Sequence, residues 1–383
     1  MNEALQRADE LVASYDAVVR AELPEGAEVF DAHTHLGLDI DGRTGEPAEL
    51  TAIQERYGIT GSFMFCLDEP DREPGFRDPN DRTLAHAEGS NGRFVPFVRL
   101  DLTHEPLAEA NRCLDRGARG IKLHPRAQGF ALDDVRLDGV FAVAAERGVP
   151  ILIHGGRGLP PIAGHLGDLV ERYPEVRLIV AHCGIADLAG LAGRLSGNPS
   201  AFFDISVWSP LDILDLYRLV SPGQVLYASD YPYGSQPASL LMALRTARLV
   251  GLDDDELRDM LGRTARRLIA GEEQPPLRPP KGPSSISVPL TFARIHQYLS
   301  MATPLLWTGQ ADTVGVLGLA INTCFERGGH PEETNRIKEL LLGAQALWRL
   351  IPDATDERDA ALISRRAFQL LHLASIQTVT ADA

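Results

Sequence analysis

Val29-Phe30-Asp31-Ala32-His33-Thr34-His35-Leu36-Gly37 is an apolar lead-in to an Asp-x-His-x-His run that stops at a glycine. The pattern reads as a short buried strand breaking into a loop. Side chains alternate along a strand, so His33 and His35 point the same way, and two neutral imidazoles at a strand end can share one divalent ion. Outward from this stretch, further short apolar runs occupy 63–67, 94–100, 120–124, 150–154, 177–182, 201–205 and 225–230. Amphipathic segments suited to helices separate them, among them 46–57, 105–116, 137–147, 163–173, 210–220 and 237–249. Strands alternating with helices imply crossovers and a parallel sheet.

Counting from 29–35, the runs number eight, which is what closes a (β/α)8 barrel of about 250 residues. An open doubly wound sheet would carry a Gly-rich phosphate turn after its first strand, where this chain has His-Thr-His-Leu-Gly. The expected fold is therefore α/β, a TIM barrel over residues 28–271. Residues 1–27 form an N-terminal helix packed on it, because 3–23 carry apolar residues at helical spacing. A last barrel helix fits 253–270, with Asp253, Asp254, Asp255 and Glu256 at its positive end. Residues 272–289 hold six prolines and read as a linker. Beyond it, 290–383 reads as an all-helical domain with helices over 290–301, 304–327, 331–350 and 356–378. Pro304 and Pro331 take first-turn positions there.

The composition, 44% hydrophobic and 23% charged in 383 residues, is that of a globular protein. A net charge of −16 excludes nucleic acid as a partner, since phosphates would be repelled. No apolar run reaches the roughly 18 residues a membrane span requires. Cys66, Cys113, Cys183 and Cys324 lie far apart and form no CxxC pair. Reduced thiols and a cytoplasmic location are the expectation, and residues 1–22 lack the basic and apolar regions of a secretory leader.

In a barrel, chemistry collects at the carboxyl ends of the strands. Here those ends carry His33 and His35, Lys122 and His124, His154, His182, and Asp230, in a chain with 11 histidines. Alone, a histidine after an apolar run is usually a hydrogen-bonded core residue. Beside a His-x-His pair, His154 as a third nitrogen donor and one carboxylate complete a catalytic metal site. Asp230 supplies the carboxylate, because closure places the eighth strand beside the first.

In this order, the motifs Asp31–His35, Gly120–Pro125, Leu152–Gly156, Val180–Gly184 and Ala228–Pro232 resemble the amidohydrolase superfamily. They are most similar to its amidohydrolase-related branch, which includes the aminocarboxymuconate-semialdehyde decarboxylase type. The likeness covers about residues 28–270, including Thr264-Ala265-Arg266 in the last barrel helix. It implies a (β/α)8 barrel with one divalent metal, zinc first, with manganese or iron as alternatives. By resemblance His33, His35 and His154 are ligands, and Asp230 is both a ligand and the group that handles the proton of the attacking water. His182 resembles the residue that orients that water or polarises the substrate.

Some superfamily members bridge two metals with a carboxylated lysine from the fourth strand, so a binuclear centre stays open. The surroundings of Lys122 are closer to the single-metal branch, in which it would bind a substrate carboxylate or oxyanion. His124 and Arg157, with Arg126, are further substrate-binding candidates, and Trp208 and Tyr231 are candidates for the pocket wall. The expected activity is metal-dependent hydrolysis of an amide, cyclic amide, lactone or similar bond in a small-molecule or peptide substrate. Nonoxidative decarboxylation of an unsaturated or aromatic acid is the alternative, and few arginines near the site tilt the choice toward hydrolysis. A second alternative is a non-catalytic barrel with the C-terminal helices as a binding module. Those helices are also where a homo-oligomer would form.

Overall fold

The computed structural model describes residues 3–282, 287–312, 315–326 and 330–381. Among these, the strands are β1 (Val29–Leu38), β2 (Thr44–Gly45), β3 (Ile59–Cys66), β4 (Phe94–Arg99), β5 (Gly120–Leu123), β6 (Ile151–Ile153), β7 (Leu178–Val180), β8 (Ala201–Asp204) and β9 (Val225–Leu226). β2 forms a small antiparallel pair with the end of β1, and the other strands pair in parallel in chain order. The sheet curls until its last segment meets its first. Ala32 N–H donates to Tyr227 O at 2.9 Å, Asp230 N–H to His33 O at 2.9 Å and His35 N–H to Tyr231 O at 2.7 Å. The expected (β/α)8 barrel is thus the fold, and the seam falls beside the histidine pair.

Short strands with almost every residue buried follow from the layering, because the barrel core covers one face and the helices cover the other. Phe30, Ala32, Phe63, Phe65, Val95, Phe97, Leu152, Ile179, Phe202 and Leu226 fill the barrel interior. Phe30 and Ala32 use the inward face of β1, so strict alternation would send His33 and His35 outward. A bulge prevents this. Between Asp31 and Thr34, β1 advances one residue more than its partner β3, which reverses the alternation and turns both histidines into the mouth of the barrel.

The expected helices form between the strands, and two more, Arg77–Glu88 and Leu188–Leu195, complete the set. Arg77–Glu88 has weak apolar periodicity because polar bonds anchor it. Buried Asn80 donates from Nδ2 to Arg99 O at 2.9 Å and to Glu109 Oε1 at 2.9 Å, and accepts Arg99 N–H at 3.0 Å. Asp253 caps the last barrel helix with a reciprocal bond to Glu256.

The N-terminal segment is two helices, Glu3–Ala13 and Tyr15–Glu22, that meet at Ser14. The Ser14 hydroxyl bonds to Leu11 O at 2.6 Å and competes with the helical ladder. Glu3–Ala13 packs on the C-terminal helices, and Tyr15–Glu22 packs on the barrel helices Pro47–Tyr57 and Ala238–Leu249.

Residues 272–282 and 287–289 are without helix or strand, and 283–286 of the expected linker lie outside the described residues. The C-terminal helices are Leu290–Trp307, Val316–Thr323, Pro331–Trp348 and Glu357–Thr380. Pro331 opens its helix as expected. Pro304 does not. It lies inside Leu290–Trp307, where its missing N–H removes one helical bond without ending the helix. Residue 327, the expected end of the second helix, lies outside the described residues. Glu357–Thr380 is buried almost continuously from Ala367 to Thr380. It packs against Leu290–Trp307, Pro331–Trp348, Glu3–Ala13 and the barrel helix Ala238–Leu249.

Candidate metal centre

His33 stands at the centre of the barrel mouth. Its Nδ1 lies 2.7 Å from Asp204 Oδ2, at the carboxyl end of β8. A carboxylate only accepts, so Nδ1 carries the proton and the Nε2 lone pair is free to bind. Likewise His35 Nδ1 faces the Cys66 carbonyl at 3.5 Å, leaving its Nε2 as an acceptor. The two Nε2 atoms are 3.2 Å apart, and Asp230 Oδ1 is 3.3 Å from each.

Two ligand atoms at about 2.0–2.1 Å from a tetrahedral ion lie about 3.3–3.4 Å apart, so this triangle has the spacing such an ion imposes. His33, His35 and Asp230 are therefore a candidate metal site. Burial is the chief cause that pushes the His33 imidazole down to about 3 and His35 well below its ordinary range, keeping both neutral as ligands must be. Burial also raises the Asp230 carboxyl, against the opposing charge of Lys122. An ion's positive charge would act in the same direction as Lys122.

Asp230 adopts φ 60, a left-handed conformation uncommon outside glycine. The seam bond to His33 O and a tight turn hold it there, with Tyr233 and Gly234 N–H on Asp230 O at 2.7 and 2.8 Å. A side chain at Gly234 would collide with the Ser229 carbonyl, so the turn requires glycine. His182 is also left-handed at φ 57. Its N–H donates to Asp204 Oδ1 at 2.9 Å and its Nδ1–H to Ser206 O at 2.8 Å, which leaves Nε2 as an acceptor. Asp204 thus orients two histidines at once. Burial raises its carboxyl, but His33, His182 and Ser206 outweigh that and hold it below the usual carboxylate range.

His154 is not brought into the triangle. Its ring packs on His182, 4.7 Å between centroids, and His182 packs on His33 at 5.0 Å. His154 also stacks on His124 at 3.8 Å. His124 itself caps the short helix Pro125–Gln128 by accepting Ala127 N–H at 3.2 Å. Lys122 is buried with Nζ 3.2 Å from His33 Nε2, and burial lowers its ammonium to about 7. Arg157 is largely exposed and pairs with Asp212 at 3.1 Å.

Trp208 lines the cavity, whereas Tyr231 points away from it and donates to Glu49 at 2.9 Å. Tyr233, two residues on, takes the wall position. Burial pushes the Cys183 thiol far up, so it is not an activated thiolate beside His182.

Three groups that the sequence reading passed over are central. Asp204 and Arg99 sit in runs read only for their apolar residues, Asp31 opens the Asp-x-His-x-His run with no role assigned to it, and a charge closing or interrupting a buried strand was the available signal. Arg99 ends β4, is 2% exposed, and lies over the Phe76 ring at 4.6 Å. Among the described residues its Nε and Nη2 have no hydrogen-bond partner, and its nearest carboxylate, Asp68, is 3.8 Å away. The cavity of about 1060 Å³ over the triangle is lined by Arg72, Arg99, Arg126 and Arg157 as well as Lys122. The premise of few arginines near the site is therefore corrected, because loops distant in sequence bring them together.

A sequence profile of the amidohydrolase family matches residues 30–270. The chain belongs to the amidohydrolase family. That match contains every barrel residue of the site and ends before the C-terminal helices. The chain is similar to the dihydroorotase of Pseudomonas paraeruginosa, 27% identical over 190 residues, which is 45% of this chain and 53% of that protein. It spans about half the length of the dihydroorotases it matches. Among solved structures, the apo IDCase of Metarhizium anisopliae covers 65% of this chain and 98% of its own, at 18% identity and a TM-score of 0.51. The 2,6-dihydroxybenzoate decarboxylase from Rhizobium covers 64% and 98%, at 14% identity and 0.51. At these identities the likeness is one of fold, the amidohydrolase barrel.

Proposed function

We propose that this amidohydrolase is a metal-dependent hydrolase that cleaves an amide, cyclic amide or lactone bond in a small anionic molecule. His33, His35 and Asp230 would hold one divalent ion, zinc in the first instance, and His154, packed on His182 beside the triangle, is the candidate for a fourth donor. The observation that carries this reading is the triangle of two imidazole nitrogens and one carboxylate oxygen at 3.2–3.3 Å in a buried barrel mouth. An ion held there supplies Lewis acidity and brings the pKa of water toward neutrality. Asp230 Oδ accepts the proton of the attacking water and returns it to the leaving group, a role its buried position suits. Lys122 stabilises the oxyanion, and His182, whose Nε2 is left as an acceptor, orients the attacking water. Arg99, with unpartnered donors in the wall, takes a substrate carboxylate. The match to proteins named dihydroorotase supports a cyclic amide among the substrates.

Decarboxylation is the second reading, favoured by the same cationic wall, since Arg99 and Lys122 would bind the carboxylate of an unsaturated or aromatic acid as readily. The experiment loads the protein with zinc or manganese and offers panels of cyclic amides, lactones and unsaturated acids. Ring opening with a new carboxylate and no CO₂ is the expected outcome, and released CO₂ in its place would establish the second reading. His33→Ala and Asp230→Asn should each abolish stoichiometric metal binding and turnover. Metal content unchanged in both would overturn the site assignment. Affinity unchanged in His154→Ala would reduce the ligand set to three.

A further inference from the structure

The cavity above the triangle has two walls of different chemistry. The barrel loops supply its charges, among them Asp39, Asp68, Arg72 and Arg99, while Leu290–Trp307 and Glu357–Thr380 supply only apolar or uncharged hydrogen-bonding side chains. Trp208 from the barrel and Trp307 and Phe368 from the helices pack at 4.3–5.2 Å between ring centres where the walls meet. Arg43 stacks on Trp307 at 3.5 Å and locks the helices over the mouth.

Within this roof two buried histidines differ. His296 Nδ1 is 3.0 Å from the Thr378 hydroxyl. His372, 3% exposed and lining the cavity, has no hydrogen-bond partner on either ring nitrogen among the described residues. Ser375, one helical turn away, lines the same cavity. A buried imidazole with both nitrogens unpaired is costly to folding and is kept where a partner arrives from outside the chain.

We propose that His372 is a distal binding residue: the substrate spans the cavity, with its reacting bond at the His33, His35 and Asp230 triangle and an uncharged hydroxyl or carboxamide bonded to His372 in the roof. Burial holds this imidazole down to about 4, so at neutral pH it offers one N–H donor and one nitrogen acceptor. A hydroxyl or carboxamide can accept from the N–H or donate to the other nitrogen, whichever of the two faces the cavity, whereas a carboxylate can only accept. The aromatic contact between the walls fits an apolar spacer. The family match ends at residue 270, so this recognition is a property of the added helices.

The inference rests on the metal reading above, and the probes are chosen to separate the two. Zinc-loaded protein is titrated with linear alkyl hydroxamic acids, which bind metal at one end, in two series that end in either hydroxyl or methyl over a ladder of chain lengths. At one length the hydroxyl series should bind about tenfold tighter, and the ratio should fall to about one in His372→Phe and be partly kept in His372→Gln. Binding of both series with no hydroxyl preference at any length, or a preference intact in His372→Phe, would overturn the roof assignment and leave the metal site standing. If neither series binds, the metal reading fails and takes this one with it. If His372→Phe does not fold, absence of any hydroxyl preference on the wild-type ladder still overturns the assignment, and so does a preference left unaltered in His372→Gln.

Discussion

At the residue scale, one carboxylate governs the centre. Asp204 accepts His33 Nδ1–H at 2.7 Å and His182 N–H at 2.9 Å, so it fixes the tautomer of one imidazole and the backbone of the other. Orienting partners of this kind raise ligand basicity and restrict ring rotation. Asp204→Asn keeps the shape but removes the charge, and its Nδ2 can oppose His33 Nδ1–H. Metal affinity measured by chelator competition should drop about 10–100-fold with the fold retained. Unchanged affinity would show that packing against Phe65, 5.0 Å from the His33 ring, orients the imidazole without help.

At the element scale, the bulged β1 does two tasks. Its early residues fill the barrel core and its later ones face the mouth, and the change of face occurs in the bulge between Asp31 and Thr34. The Asp31 carboxyl accepts His33 N–H at 3.1 Å and Ser229 N–H at 2.9 Å, clasping the bulge to the closing seam. Asp31→Ala would leave two buried N–H groups unpaired, at about 1–3 kcal/mol each. Burial pushes the Asp31 carboxyl up to about 7 from 3.8. With a folded pKa above the unfolded one, its contribution is fully present below about 4 and is lost as pH rises through about 7. Asp31→Asn keeps the acceptor and does not titrate. In denaturant unfolding it should gain roughly 2–3 kcal/mol on the wild type between pH 5 and pH 8. A difference that stays flat with pH would mean Asp31 is ionised throughout.

At the scale of the whole molecule, the C-terminal helices share one continuous hydrophobic core with the barrel helices. Glu357–Thr380 covers Ala238–Leu249, a barrel helix buried along nearly its whole length. Truncation after residue 280 would uncover that helix and Trp208 together. The shortened chain should lose solubility or unfold well below the full-length midpoint in a thermal scan. A soluble truncation with the full-length midpoint would show that the barrel stands alone.

The sequence by itself determined the order of strands and helices, the barrel, and the residues at its strand ends. Buried strands must be apolar, so a His, Lys or Asp at their ends stands out by contrast. His33, His35 and Asp230 could be read together because a closed barrel makes its first and last strands neighbours. The bulge was not readable, since it is a register shift between β1 and β3 that neither strand encodes alone. Nor were the clasp of Asp204 on His33, the position of Arg99, or the approach of His372 to the cavity. Those pairings join residues 171, 66 or more positions apart from the motif they serve, and only the packed chain brings them within reach.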